Sequence, residues 1–272
     1  MKNNIDHLSQ ESASVYKYLK LMENRKLDEA KKMLSNDFTM IFPGSMSFRN
    51  LDELVDYGKK RQISVFKTFE SFEEINNSSS KIIYVRGKLF GITVKGKEFN
   101  NIRYIDKFIV SGEKFLRQQV WNDFAKKKLI NSRYSMPKEK LPKIKRENIE
   151  LPLKSEVLDF VFSLDFKQNK LQDLFLKDKF LAILPGSKLL NSKHLIDFLE
   201  REKTLSEKNI FDINLIENNQ SHIIYLDGSI SGLNIERKKY RNIRFIERIE
   251  FDILSNKILS FEVWDDLSEH GF

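Results

Sequence analysis

The chain contains no cysteine. That excludes disulfides, thiolate zinc sites and a cysteine nucleophile. Its four histidines (His7, His194, His222 and His270) are scattered, with no pair at metal-ligand spacing, so neither a metal nor a cofactor is expected. Proline is scarce. Three of the five prolines, Pro137, Pro142 and Pro152, fall in one stretch, and the other two each open a Pro-Gly turn. No apolar run approaches the roughly 20 residues of a membrane span. Met1 to His7 lack the apolar core of a signal peptide. These absences predict a soluble, cytoplasmic protein without membrane contact.

Charge of one sign is also nearly absent outside a single segment. The net charge is +8, and residues 126–146 hold nine Lys or Arg against one acid, Glu139. The remaining 38 basic and 38 acidic residues cancel. A basic, proline-punctuated stretch reads as a linker over 125–152. A nucleic-acid contact is disfavoured, because such modules interleave aromatics with their charge and only Tyr134 is available.

What is present is a repeat. Pro43-Gly44-Ser45 returns as Pro185-Gly186-Ser187, each closing a short apolar strand. Ile82-Ile83-Tyr84 returns as Ile223-Ile224-Tyr225, followed by Gly87/Gly91 and Gly228/Gly232. Asn101-Ile102-Arg103 returns as Asn242-Ile243-Arg244, and Val120-Trp121 as Val263-Trp264. The offset stays at 141 to 143, which is the length of a domain and far beyond a solenoid unit. Two domains are expected, 10–124 and 153–267.

Each copy opens on helix signals. Val15, Tyr18, Leu19 and Met22 form a stripe that Val157, Phe160, Val161 and Leu164 repeat. Ser12 or Ser14, and Ser155, are candidate N-caps. A short helix carries Leu27, Ala30 and Leu34. After the Pro-Gly turn, Asn50-Leu51-Asp52-Glu53 has capping-box form. In copy two Ser192 is the candidate cap, with Leu195, Phe198 and Leu199 behind it. The spans Lys81–Phe90, Phe99–Val110 and Phe115–Asn122 are strands by composition. Helices followed by a strand meander indicate an α+β fold, with a curled antiparallel sheet enclosing a cone-shaped interior.

This order, the apolar strand ending in Pro-Gly, and Ile105-Asp106-Lys107-Phe108 in the closing strands resemble the nuclear-transport-factor-2-like superfamily. Within it the chain is most similar to the SnoaL-like and ketosteroid-isomerase-like group. The resemblance covers nearly everything but the linker. It implies two tandem cones forming an internal pseudo-dimer, with a small-molecule pocket. Ketosteroid isomerases place a helix-one Tyr and a strand Asp at an oxyanion, and an Asp base before the proline after the first strand. Those positions are Tyr18, Asp106 and Phe42 here, so the base is missing and that isomerisation is not expected.

The residues argue for Asp106 on their own. Ile102, Tyr104, Asp106, Phe108 and Val110 share one strand face, apolar but for the carboxyl and a phenol. A carboxyl there is kept protonated or paired. As a protonated group, Asp106 could act as a general acid with Tyr18 beside it. As a structural carboxylate it would pair with an Arg or Lys, and Tyr18 would be core. Phe42, Tyr104 and Phe108 are candidate pocket residues of copy one. Phe160, Phe245 and Glu247 are those of copy two, which lacks the helix phenol.

On the opposite strand face lie Asn101, Arg103 and Trp121, matched by Asn242, Arg244 and Trp264, and their repetition suggests that the two sheets pair through them. Leu116, Val120, Leu259, Phe261 and Val263 are expected to point inward. Three functions stay open: a cofactor-free acid/base enzyme (isomerase, cyclase, dehydratase or hydrolase) acting on a small, largely apolar substrate; a non-catalytic carrier or sensor; and a protein-interaction scaffold.

Overall fold

The computed structural model describes residues 7–77, 79–130, 132–138, 144–145, 151, 155–162, 172–176, 179–203, 206–234 and 236–272. Leu164 of the expected helix stripe and much of the expected linker, including Pro142 and Pro152, lie outside them. The chain forms two compact units, Met1–Asn131 and Ser132–Phe272. The division falls inside the basic stretch, whose residues 132–138 bond to the end of the second unit. There the Tyr134 N–H donates to the Glu269 carbonyl at 3.0 Å.

In the first unit, α1 (Gln10–Glu23) and α2 (Leu27–Lys31) precede the hairpin β1 (Leu34–Phe42) and β2 (Met46–Phe48). Helix α3 (Leu51–Lys59) then leads into four long strands: β3 (Gln62–Asn77), β4 (Ser80–Thr93), β5 (Glu98–Ser111) and β6 (Lys114–Asn122). The sheet order is β2-β1-β6-β5-β4-β3. All neighbours run antiparallel except β1 and β6, which are parallel. The sheet is therefore mixed where the pattern predicts an antiparallel one. The helical connection through α3 and the meander brings the last strand back alongside the first.

The second unit repeats this plan. Helix α4 (Ser155–Val161), the hairpin β7 (Leu181–Leu184) and β8 (Lys188–Leu190), and α5 (Ser192–Lys203) lead into β9 (Ser206–Glu217), β10 (Ser221–Leu233), β11 (Lys239–Asp252) and β12 (Lys257–Asp265). Its order is β8-β7-β12-β11-β10-β9. The chain is thus a tandem α+β protein with two six-stranded mixed sheets of one topology.

The repeated motifs have backbone causes. In both Pro-Gly-Ser turns the Gly and Ser take left-handed conformations, with φ of 80° and 59° at Gly44 and Ser45 and 82° and 63° at Gly186 and Ser187. Two such residues in succession match the twist of a tight hairpin. A Cβ on Gly87 would stand 2.0 Å from the Thr68 carbonyl oxygen, and one on Gly228 2.1 Å from that of Asn209. Only glycine admits that approach. Asn101 and Asn242 both have φ of 55°, a conformation asparagine tolerates, each beside a bulge.

Local signals differ in detail from those expected. The α1 cap is Ser9, whose hydroxyl accepts from the Ser12 N–H at 3.1 Å, while Ser12 itself is buried. Asn50 caps α3 as expected, accepting from the Glu53 N–H at 2.9 Å. In the second copy Asn191, not Ser192, accepts from the His194 N–H. Leu34 opens β1 rather than ending a helix. Leu116 is exposed and Phe115 is buried in its place, because a bulge at Ile109/Val110 shifts the register there.

Candidate functional site

The inward face of β5 is as patterned: Ile102, Tyr104, Asp106, Phe108 and Val110 are all buried. Asp106 is fully buried, so its charge needs a partner. That partner is Lys67 of β3, whose Nζ lies 2.5 Å from Asp106 Oδ2 and 4.0 Å from the centre of the Tyr104 ring. Gln118 of β6 donates from Nε2 to the same carboxylate oxygen at 3.3 Å. Its Oε1 accepts from the Tyr18 hydroxyl at 3.4 Å. Tyr18 reaches in from α1, edge-on to Phe108 and Phe115. The Tyr104 hydroxyl donates to the Thr68 carbonyl at 3.1 Å. Asp106 Oδ1 has no hydrogen-bond partner among the described residues.

Burial pushes the Asp106 carboxyl above its ordinary range, while Lys67 and the Gln118 hydrogen bond pull it back. Burial, then the nearby Asp106 charge, drives the Tyr18 phenol far up. The same two causes act first on Tyr104, with smaller contributions from Glu70 and Glu23. Neither phenol ionises near neutrality, so both serve as donors.

These groups floor a cavity of about 330 Å³ in the first unit. Tyr18, Lys67, Tyr104 and Gln118 line it, and Leu19, Met22, Phe42, Leu54, Val65, Leu89 and Phe124 supply apolar walls. Asp106 is not among the lining residues; it meets the cavity through Lys67 and Gln118. Phe108 is likewise behind the wall, packed against Tyr18 and Phe115. Phe42 lines the cavity at the pre-proline position and offers no base.

The candidates of the second copy sit in a different setting. Phe160 packs edge-on against Phe175 and Phe261, and Phe160, Phe245 and Phe261 belong to one apolar core. Glu247 pairs with Lys208 at 2.8 Å, and burial raises its carboxyl against the pull of that lysine. On the opposite face, Arg103 pairs within its own unit with Asp123 at 3.0 Å, and Arg244 with Asp266 at 3.5 Å.

Lys67 and Gln118 are absent from the pattern-based candidates. One signal was available for Lys67: it returns as Lys208 at the offset that relates Asp106 to Glu247. Gln118 has no such mark, since its counterpart is Phe261. Among the described residues no three His, Asp or Glu side chains gather in a metal-binding cluster. No described helix is long and apolar enough to cross a membrane.

No family model and no curated protein matches the sequence. Solved structures of nuclear-transport-factor-2-like and SnoaL-like proteins do match, each over less than half of this chain. One is a protein of unknown function from Burkholderia pseudomallei K96243, with 15% identity over 46% of this chain and 100% of that one, TM-score 0.39. A second, from Exiguobacterium sp. 255-15 and also of unknown function, has 11% identity over 40% and 98%, TM-score 0.34. A putative SnoaL-like polyketide cyclase from Jannaschia sp. CCS1 has 10% identity over 47% and 94%, TM-score 0.37. At these identities the likeness is one of fold.

Proposed function

We propose that the first unit binds a small, largely apolar molecule in the cavity above Lys67, Gln118 and Tyr18, and acts as a carrier or sensor of it. The observation that carries this is the cavity itself. Its volume of about 330 Å³ lies in the range of small-molecule sites, apolar side chains make up much of its wall, and Tyr18, Lys67, Tyr104 and Gln118 converge on one floor, with Glu23, Arg25 and Arg61 also in the lining. The test is a thermal-shift screen of small apolar oxygen-bearing compounds against the intact chain and a Val65→Trp variant that fills the cavity. Compounds that stabilise the wild type and not the variant support the proposal; compounds that act equally on both, or none that act, overturn it.

The Tyr18–Gln118–Asp106 chain favours a second reading, a cofactor-free acid/base enzyme of isomerase, cyclase, dehydratase or hydrolase type. Asp106 would be its acid and Tyr18 its oxyanion donor. Asp106 would act on the ligand by way of Gln118 and Lys67, Tyr18 would meet it directly, and Phe42 leaves the family's base position empty of a base. Turnover of a screened compound, lost in Asp106→Asn, would select this reading.

The repeated outer-face residues support a separate proposal drawn from the sequence: the halves pair through Asn101, Arg103, Trp121, Asn242, Arg244 and Trp264. A chain nicked between Lys126 and Arg146 would then elute as one species, and two half-size species would refute it.

A further inference from the structure

Lys67 and Lys208 stand at matched positions of β3 and β9, and each pairs with the acid of its own sheet. The two ammonium groups are not equally satisfied. Lys208 donates to Glu247 at 2.8 Å and to the Val161 carbonyl at 3.1 Å, with the Phe245 ring centre 5.4 Å away. The Lys67 ammonium donates one hydrogen bond among the described residues, to Asp106, and lies 4.0 Å from the centre of the Tyr104 ring. An ammonium has three N–H donors, so Lys67 keeps donors in reserve. It also lines the cavity.

The surroundings differ in the same sense. Tyr18, Gln118 and Tyr104 of the first copy are Phe160, Phe261 and Phe245 in the second. Where the Lys–acid pair serves structure alone, the fold wraps it in phenyl rings and gives the ammonium a backbone carbonyl. The first unit instead leaves the ammonium beside open space, with phenol and amide donors around it.

Charge narrows what can occupy that space. The lining residues include three cations, Arg25, Arg61 and Lys67, and one carboxylate, Glu23. Glu23 is already engaged: Oε1 pairs with Lys20, and Oε2 accepts the Lys67 N–H at 3.1 Å. A cationic ligand would compete with Lys20 for that carboxylate, whereas an anion meets the Lys67 ammonium with donors in reserve.

We infer that Lys67 is the ligand-contacting cation of the first unit, and that its ligand is an organic anion, an apolar body bearing a carboxylate or comparable oxyanion. The inference rests on the ligand-binding reading above and narrows it. A charge-assisted bond from Lys67 holds the oxyanion, and the apolar walls hold the body. Asp106 is a positioning residue. It fixes the ammonium at the cavity floor.

The experiment uses the full chain and two probes with the same ring system, 2-naphthoate and 2-naphthylmethanol, titrated calorimetrically. The wild type should prefer the carboxylate by about tenfold or more. Lys67→Met combined with Asp106→Asn removes both charges together, so no lone buried charge threatens the fold. In that variant the preference should vanish while the alcohol still binds. Lys208→Met with Glu247→Gln should leave both affinities unchanged. In Asp106→Asn alone, the preference for naphthoate should fall, and Asp106→Glu should restore it in part; a preference unchanged in Asp106→Asn overturns the positioning role. Equal affinities in the wild type, or a preference that survives the double variant, overturn the anion inference and leave the pocket standing. Failure of both probes to bind overturns the pocket reading as well.

Discussion

Tyr18 and Asp106 are joined through Gln118, which accepts from the phenol at 3.4 Å and donates to the carboxylate at 3.3 Å. The amide orientation follows from its partners, since a carboxylate cannot donate and a buried phenol is the available donor. A phenol from α1, an amide from β6 and a carboxylate from β5 thus form one connected floor, with Lys67 closing it from β3. Three strands and a helix must be in register for it to exist.

The attachment of α1 to the sheet should weaken in acid. Glu74 of β3 accepts from the hydroxyls of Ser9 and Ser12 and pairs with Lys81 at 3.0 Å. Burial raises its carboxyl, but the hydrogen bonds from Ser12, Ser9 and Lys81 outweigh it and hold the group below its ordinary range. A depressed pKa means that the ionised form is favoured in the fold, so its contribution is present above the unfolded pKa, about 4.3, and is lost as pH falls through the folded value. Glu74→Gln should lower stability near neutrality and flatten its decline between about pH 5 and 3. Denaturant titrations across that range check this, and an unchanged slope would remove Glu74 from the account.

Much of this architecture is legible in the chain. The repeat, the helix stripes and the β5 face are periodic patterns, and burial against a common core enforces such patterns. Strand β3 is not legible. It carries Glu70, Glu73 and Glu74, residues poor in strands, and a bulge between Phe69 and Ser71 breaks its alternation midway. Lys67 was hidden with it, and so was the partner of Asp106. Gln118 is illegible for another reason: it sits in the polar run Arg117-Gln118-Gln119, which gives no sign of which residue turns inward. The repeated Asn-Ile-Arg motif was visible, but φ at Asn101 and the Arg103–Asp123 pair give it causes inside each unit that no pattern states.

That ion pair offers a direct test of burial. Arg103 and Asp123 are both 2% exposed, with Nε and Oδ2 3.0 Å apart. Arg103→Ala strands a carboxylate away from water and should cost about 3–5 kcal/mol. Replacing both partners with Leu and Asn should cost markedly less. The matched pair, Arg244 and Asp266, is wider at 3.5 Å, and its truncation should cost less than that of Arg103. Equilibrium urea unfolding measures each; a loss under about 1 kcal/mol for Arg103→Ala would mean that water reaches Asp123 after all.

The two copies also permit an exchange of character. Tyr18→Phe, Gln118→Phe and Tyr104→Phe together install in the first unit the side chains found at Phe160, Phe261 and Phe245 of the second. The Lys67–Asp106 pair remains, as Lys208–Glu247 does. A phenyl at the Gln118 position fills space now bordered by an amide, and the three changes remove two hydrogen bonds of 3.3 and 3.4 Å, beyond the usual optimum, and the Tyr104–Thr68 bond of 3.1 Å. Replacing connected polar groups by apolar ones of similar shape is often close to neutral. The triple variant should therefore lie within about 1–2 kcal/mol of the wild type in urea unfolding. It should also lose measurable affinity for both naphthalene probes, since the cavity floor has been rebuilt as core. Retained binding would place the ligand elsewhere than over Gln118. A collapse in stability beyond about 3 kcal/mol would show instead that the Tyr18–Gln118–Asp106 floor holds the fold together, as a core network rather than a surface kept open for a ligand.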